Sequence, residues 1–480
     1  MDRAIDRLQF GAFISLGVVT IISVLAAFQT DLHYLVLIPF GIMIIYTGII
    51  NFKFLYFLLL FAIPFSIEYS FSSSLGTDLP DEPMMVGLMC VTIAFILTSH
   101  KSLPIGYFAN FLIVALMAHL FWIFITAIHS TNFIVSFKVF LAKCWYIITF
   151  GVLSAIVLRT KADIKKAFWC IFIPLTLLTA QVLVRQALMH FSFEDVNKPM
   201  SPFFRNHVNY AAILSVFFPF ILLARSWYNS GSVKRKVLNF SILLYIVAIY
   251  FSYTRTAYLA IVLILPLYFV IRHKLMKITL LAGAIAATIF IVHLFTENNY
   301  LKYAPNYLET IYHDDFGQHL SSTFEGKDVS SMERVYRWVA ATRMFKDHPW
   351  MGFGPGNFYP NYQKYTVTSF QTYVSDNPER STAHNYPLLI LTEQGAIGLT
   401  VFLFLTVVIF IYGERLYHRI KNEDDKKLAL TLLLVLAMVY VNLFLSDLLE
   451  SDKVGPFFFM CIALLAAVDI RNRSLEAESK

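Results

Sequence analysis

Apolar runs of roughly 18 to 22 residues recur along almost the whole chain, separated by short polar breaks. Each is long enough to cross about 30 Å of hydrocarbon as a helix rising 1.5 Å per residue. Most are apolar on every face, without the one-sided stripe of a soluble helix. Open sheets and irregular backbone cannot face lipid. The pattern therefore predicts an all-α polytopic membrane protein with about 12–14 transmembrane helices. Fourteen segments are placed near 8–28, 33–50, 54–67, 84–99, 107–128, 139–158, 166–186, 208–225, 236–252, 256–272, 276–295, 386–412, 428–446 and 454–470. The third and fourth are short for a full crossing and read as tilted, broken or partly re-entrant. The first follows Arg3 and Arg7, is long for a signal-peptide core and is followed at once by another run. It reads as an uncleaved first helix.

One interval breaks the rhythm. Residues 296–385 form a connection of about ninety residues, far beyond ordinary loop lengths. The chain thus divides into a bundle of about eleven spans over 1–295, a loop domain over 296–385, and C-terminal spans with a tail over 386–480. The loop is rich in Tyr, Phe and Trp, with turn signals at Gly352, Gly354, Pro355 and Gly356. Ser330 followed by Glu333 reads as a capping box. It would open a helix over about 331–346 that stops before Pro349.

Composition sharpens the same picture. The chain is 58% hydrophobic and 14% charged, against about 25% charged in ordinary soluble domains. The net charge of +7 would raise nucleic acid as a partner in a soluble protein. Here the lysines and arginines sit mostly in short loops between spans and set topology instead. Arg159, Lys161, Lys165 and Lys166 mark one inside loop. Lys234 to Lys236, Arg272 to Lys277, Arg415 to Lys427, and Arg471 with Arg473 mark others. Residues 68–83 carry no Lys or Arg but hold Asp78, Asp81 and Glu82. The alternation places both termini in the cytoplasm and the long loop outside. Cys90, Cys144, Cys170 and Cys461 all fall in apolar runs without zinc-like or disulfide-like spacing, and read as core residues.

Candidate chemistry gathers on the outer side. Arg255, in the segment Phe-Ser-Tyr-Thr-Arg-Thr-Ala over 251–257, lies where two spans meet with almost no loop. It reads either as a topology or lipid-anchoring arginine or as an anion clamp at the bilayer surface. Arg334 and Arg337 share one face of the loop helix, with Val335, Trp338 and Val339 set to pack on the other. Paired guanidinium groups suit phosphate oxygens, although a solvated amphipathic face has the same spacing. The glycine-rich run 352–356 makes a tight turn that offers backbone N–H groups, but lacks the Gly-Lys-Ser/Thr ending of a phosphate loop. It reads as structural. His384 and Asn385 stand where the loop re-enters the membrane, nine residues before Gly395-Ala396-Ile397-Gly398. A histidine there suits general-base work; the bland reading is a satisfied interfacial residue. The glycines permit close helix packing. Arg205, Asn206, His207 and Lys138 add polar and cationic groups on the same side. Within the spans, His119 and Lys143 stand out as ionisable residues with no acidic partner facing them in sequence. The cationic side shows no acidic cluster with metal-ligand spacing, a balance that fits a metal-independent site for a phosphate-bearing substrate.

The pattern His384-Asn385, nine residues, Gly395-x-x-Gly398 resembles the signature of bacterial O-antigen ligases, with Leu399 where Gly, Thr or Tyr usually follows. Ser-Tyr-Thr-Arg255 is similar to that family's span-end arginine. The Arg334 helix leading into Asp347-His348-Pro349 and the glycine run resembles its periplasmic loop. The likeness covers about 238–404. It implies a glycosyltransferase that takes a glycan from undecaprenyl pyrophosphate at the outer face of the inner membrane and joins it to lipid A–core, with neither metal nor nucleotide cofactor. By the same resemblance Arg255 and Arg334 bind the donor pyrophosphate, and His384 deprotonates or orients the acceptor hydroxyl. Arg337, Arg205, Lys138 and Asn385 are candidate substrate contacts. A polymerase of the same superfamily, a ligase with another glycolipid or polysaccharide acceptor, and a polysaccharide transporter or flippase are the competing readings.

Overall fold

Polar residues at the ends of apolar runs start most of the helices. Asn110, Asn132, Asn206, Ser232, Asn385 and Asn422 each accept a backbone N–H from the first turn that follows. Thr160 and Asp163 form a reciprocal capping box. Such caps satisfy N–H groups that have no partner within the helix. The computed structural model describes residues 2–30, 35, 37–70, 76–98, 103, 106–303, 329–366 and 382–478. The described residues are 81% helical, with one small hairpin among them.

In chain order the helices are α1 (Asp2–Thr30), α2 (Leu37–Ala62), α3 (Asp81–Thr98), α4 (Phe111–Ile128) and α5 (Phe133–Tyr146). The last runs on through a π-helical stretch, Ile147–Leu153, to Val157. Then come α6 (Lys161–Leu188), α7 (His207–Arg225), α8 (Val233–Tyr250), α9 (Arg255–Arg272) and α10 (Met276–Phe295). The loop helix α11 (Val329–Asp347) precedes α12 (Tyr386–Val407), α13 (Glu423–Leu443) and α14 (Gly455–Glu478). Strands β1 (Ile67–Ser70) and β2 (Gly76–Leu79) pair antiparallel between α2 and α3.

Eleven helices among the described residues are long and apolar enough to cross a membrane. Two of the fourteen expected segments, 33–50 and 54–67, are one helix. α2 runs through both and kinks at Asn51, whose side chain accepts the Phe54 N–H at 3.0 Å and so restarts the helix. α1 contributes only a shorter apolar stretch, Ile14–Ala27. α8 opens on Lys234, Arg235 and Lys236 and falls outside the eleven.

The core forms around α7, α13 and α14. In α14, 83% of the apolar window is buried, against 6% in α10. α10 is pinned at its ends instead. Its first N–H donates to Glu414 at 3.0 Å, and Phe290 and Leu294 near its other end pack against α11.

α12 is not a simple span. Gly395 inside it has φ +71° and ψ −173°, which breaks the helix. The loop after α11 fills the break. Phe353 N–H donates to Thr392 O at 3.0 Å, Gly354 N–H to Glu393 O at 2.7 Å, and Ala396 N–H to Pro349 O at 2.8 Å. A Cβ at Gly395 would lie 2.2 Å from the Trp350 carbonyl carbon, and one at Gly352 would lie 2.4 Å from the Glu393 carbonyl carbon. The two backbones touch, so both positions need glycine. Gly395→Val is expected to destabilise the protein by about 3 kcal/mol or more, through clash and left-handed strain together. Thermal unfolding in detergent measures it; an unchanged midpoint would contradict the backbone seam.

Candidate active site

The loop helix forms where expected, but its surroundings differ. It begins by Val329 and ends at Asp347, ahead of Pro349. The Ser330–Glu333 capping box lies outside the described side chains. From Val335 to Ala341 every residue is buried, Arg337 included at 2% exposed. The helix is therefore no solvated amphipathic face. Trp338 Nε1–H donates to Ala383 O at 3.1 Å, and its ring packs on Phe290 and Phe444. Arg337 makes one long bond, Nη1 to Thr382 O at 3.4 Å, and its Nε finds no partner among the described residues. A buried guanidinium so poorly satisfied is set to receive an anion.

His384 follows two residues after Thr382, whose carbonyl meets Arg337. Its φ of +48° is a left-handed conformation that a side chain rarely adopts. The chain holds it from both sides. Thr382 Oγ1–H donates to Asp447 Oδ2 at 2.7 Å, and Asn385 Nδ2–H donates to Phe444 O at 3.0 Å. His384 Nδ1 lies 4.0 Å from Asp447 Oδ1, and 35% of its side chain is exposed. Burial first, then the charges of Arg337, Arg334 and Arg205, push its pKa down to about 3. The imidazole is thus neutral in the free protein at neutral pH, able to accept a proton but weakly basic.

Arg205 is exposed in the connection before α7, close enough to weigh on His384. Arg255 opens α9, where the positive end of the helix dipole adds to its charge. Thr254 Oγ1 bonds the His207 carbonyl at 3.4 Å, which ties the Arg255 turn to the strip that carries Arg205. The turn is also held by Gln186 Nε2–H to Phe251 O at 2.9 Å and Tyr253 O–H to Phe191 O at 2.6 Å.

Two expected contacts sit differently. Asn385 is 6% exposed. Its side-chain oxygen caps α12 at Leu388 N–H, and its amide holds Phe444. Both groups are spent in positioning His384. Lys138 is exposed on α5. Its neighbours Val135 and Ser136 serve the glycine loop: Ser136 Oγ–H donates to Pro355 O at 2.7 Å. The N–H groups of that loop are taken up as well: Gly352 N–H donates to His348 O at 3.1 Å, Phe353 N–H to Thr392 O and Gly354 N–H to Glu393 O. They do not form an anion nest.

The spans hold more charge than their sequence reading allowed. Glu393 and Asp469 both lie within apolar runs and are buried. Asp469 accepts Asn110 Nδ2–H at 2.8 Å and pairs with Arg419 and Arg473. Lys143 does meet an acid, Glu450, at 2.7 Å. Asp447 and Glu450 escaped notice because they stand in a short loop about sixty residues beyond His384, with no motif around them.

Residues 240–403 match the family model described as O-Antigen ligase. This stretch is a domain of the O-antigen ligase superfamily. No curated protein matches the chain. The ligase-family domain begins within α8 and ends within α12, so it holds Arg255, Arg334, Arg337 and His384. Arg205, Asp447 and Glu450 fall outside it. The match supports membrane glycosyltransferase activity at the level of the family.

Proposed function

We propose that the protein transfers a glycan from an undecaprenyl-pyrophosphate donor to a hydroxyl of lipid A–core, without a metal ion, at the outer face of the bacterial inner membrane. The observation that carries this reading is His384 Nδ1 set 4.0 Å from Asp447 Oδ1, with Arg337, Arg334 and Arg205 near enough to disfavour its cationic form. The arginines, with Arg255, take the donor pyrophosphate. Its negative charge offsets theirs and raises the basicity of His384, so the base gains strength once the donor is in place. With Nδ1 turned to Asp447, Nε2 is left for the acceptor hydroxyl. The acceptor oxygen attacks the anomeric carbon, the bond from that carbon to the pyrophosphate oxygen breaks, and the hydroxyl proton passes to His384. Asp447 steadies the imidazolium, and the arginines steady the leaving pyrophosphate.

The charge pattern keeps the loop outside and the C-terminus inside. The fusion of two expected spans into α2 leaves twelve crossings from α2 to α10 and α12 to α14. Two cytoplasmic termini then require α1 to lie along the inner surface rather than cross.

Purified protein given lipid-linked glycan and lipid A–core in excess EDTA is expected to place glycan on the core. A lengthening lipid-linked ladder would mark a polymerase instead. A requirement for divalent metal would contradict the arginine clamp, and the absence of both products would return transport to the front.

A further inference from the structure

We propose that Lys143 and Glu450 are positioning residues for the transfer, an ion pair that fixes His384 and Asp447 together from a third helix. The proposal rests on the reading of His384 as the base. Lys143 lies ten residues into α5, about 15 Å along the helix from its outer end. It is 3% exposed. A lysine at that depth persists only when paired. Its ammonium meets Glu450 Oε1 at 2.7 Å, off the line of a hydrogen bond, and lies 5.9 Å from the centre of the Tyr386 ring and 6.0 Å from that of Phe459. The Tyr386 hydroxyl reaches the same Glu450 carboxylate.

The two contacts bear on the two members of the dyad. Tyr386 follows His384 by two residues and is 1% exposed. Glu450 closes a single turn with Asp447, its N–H donating to the Asp447 carbonyl at 3.0 Å. Fixing Tyr386 therefore fixes the entry of α12 and with it His384. Fixing Glu450 fixes the turn that aims the Asp447 carboxylate. His384 needs such support, because its left-handed backbone is retained only where its surroundings over-determine it. Lys143 and Glu450 act on His384 through Tyr386 and Asp447.

The test compares Glu450→Gln, Lys143→Met and Lys143→Arg in the purified full-length protein, with lipid-linked glycan and lipid A–core. Glu450→Gln and Lys143→Met are expected to lower kcat about 10- to 100-fold with the donor KM within about twofold, the cost of a loosened catalytic geometry. Lys143→Arg restores most of kcat. A kcat within about twofold of wild type in folded Glu450→Gln overturns the proposal, and so does a loss that only follows the folded fraction in thermal unfolding. If Lys143→Met fails to fold, Glu450→Gln decides alone. His384→Ala run alongside separates the two ideas. Its full activity would sink the base, whereas a dead His384→Ala beside an active Glu450→Gln would sink only the positioning pair.

Discussion

Replacing His384 by alanine is expected to reduce glycan transfer about a hundredfold or more, with the protein still inserted in the membrane. General bases contribute roughly 10²- to 10⁴-fold, and among the described residues His384 is the imidazole paired with Asp447. The substitution removes the ring but leaves the anchors on either side, Thr382 to Asp447 and Asn385 to Phe444. Alanine also tolerates the left-handed backbone poorly, so His384→Asn, which accepts φ > 0 more readily, is the companion variant. Transfer by single-turnover kinetics, beside donor binding, checks the expectation. Donor affinity should hold while turnover falls. Full turnover in either variant would end the general-base role.

The second large effect concerns the arginines. Arg334→Ala is expected to weaken donor binding and transition-state charge stabilisation together, lowering kcat/KM by about 10²- to 10³-fold, the scale for loss of one charge-stabilising donor. Arg337→Ala carries a distinct signature. Arg337 is the largest of the three charges holding the His384 pKa at about 3. A depressed pKa means the cationic imidazole is disfavoured, so removing a neighbouring cation favours it and moves the pKa up toward the ordinary 6.5. Wild-type kcat/KM, which reports the free enzyme, should show no histidine limb between pH 5 and 8. In Arg337→Ala the fall in rate on the acid side should begin at a higher pH than in the wild type, although burial, Arg334 and Arg205 still hold the group down. The pH profile of kcat/KM reads both. A limb near pH 6.5 already present in the wild type would show that the arginines do not govern this group.

The sequence by itself determined the all-α membrane character of this protein and its likeness to the ligase family. Length and all-round apolarity encode membrane helices, because partition into lipid depends on local composition. The aromatic-rich interval after residue 296 predicts a helix ahead of Pro349, which forms as α11, and the spacing of His384, Gly395 and Gly398 carries the family likeness. Tertiary structure alone decided the rest. No periodicity reveals that Asn51 restarts one helix instead of ending it. That Gly395 breaks α12 depends on backbone from the loop after α11, which supplies N–H groups to Thr392 and Glu393. The spacing of Arg337 suits a phosphate-binding pair and a solvated face alike; that it is buried, with Nη1 turned to the Thr382 carbonyl, only the tertiary structure decides. Asp447 and Glu450 carry no local signal. Their partners, His384 and Lys143, stand about sixty and three hundred residues away. A charge pair is a relation in space, and chain order records composition without recording which distant carboxylate a fold will bring within 4 Å of an imidazole.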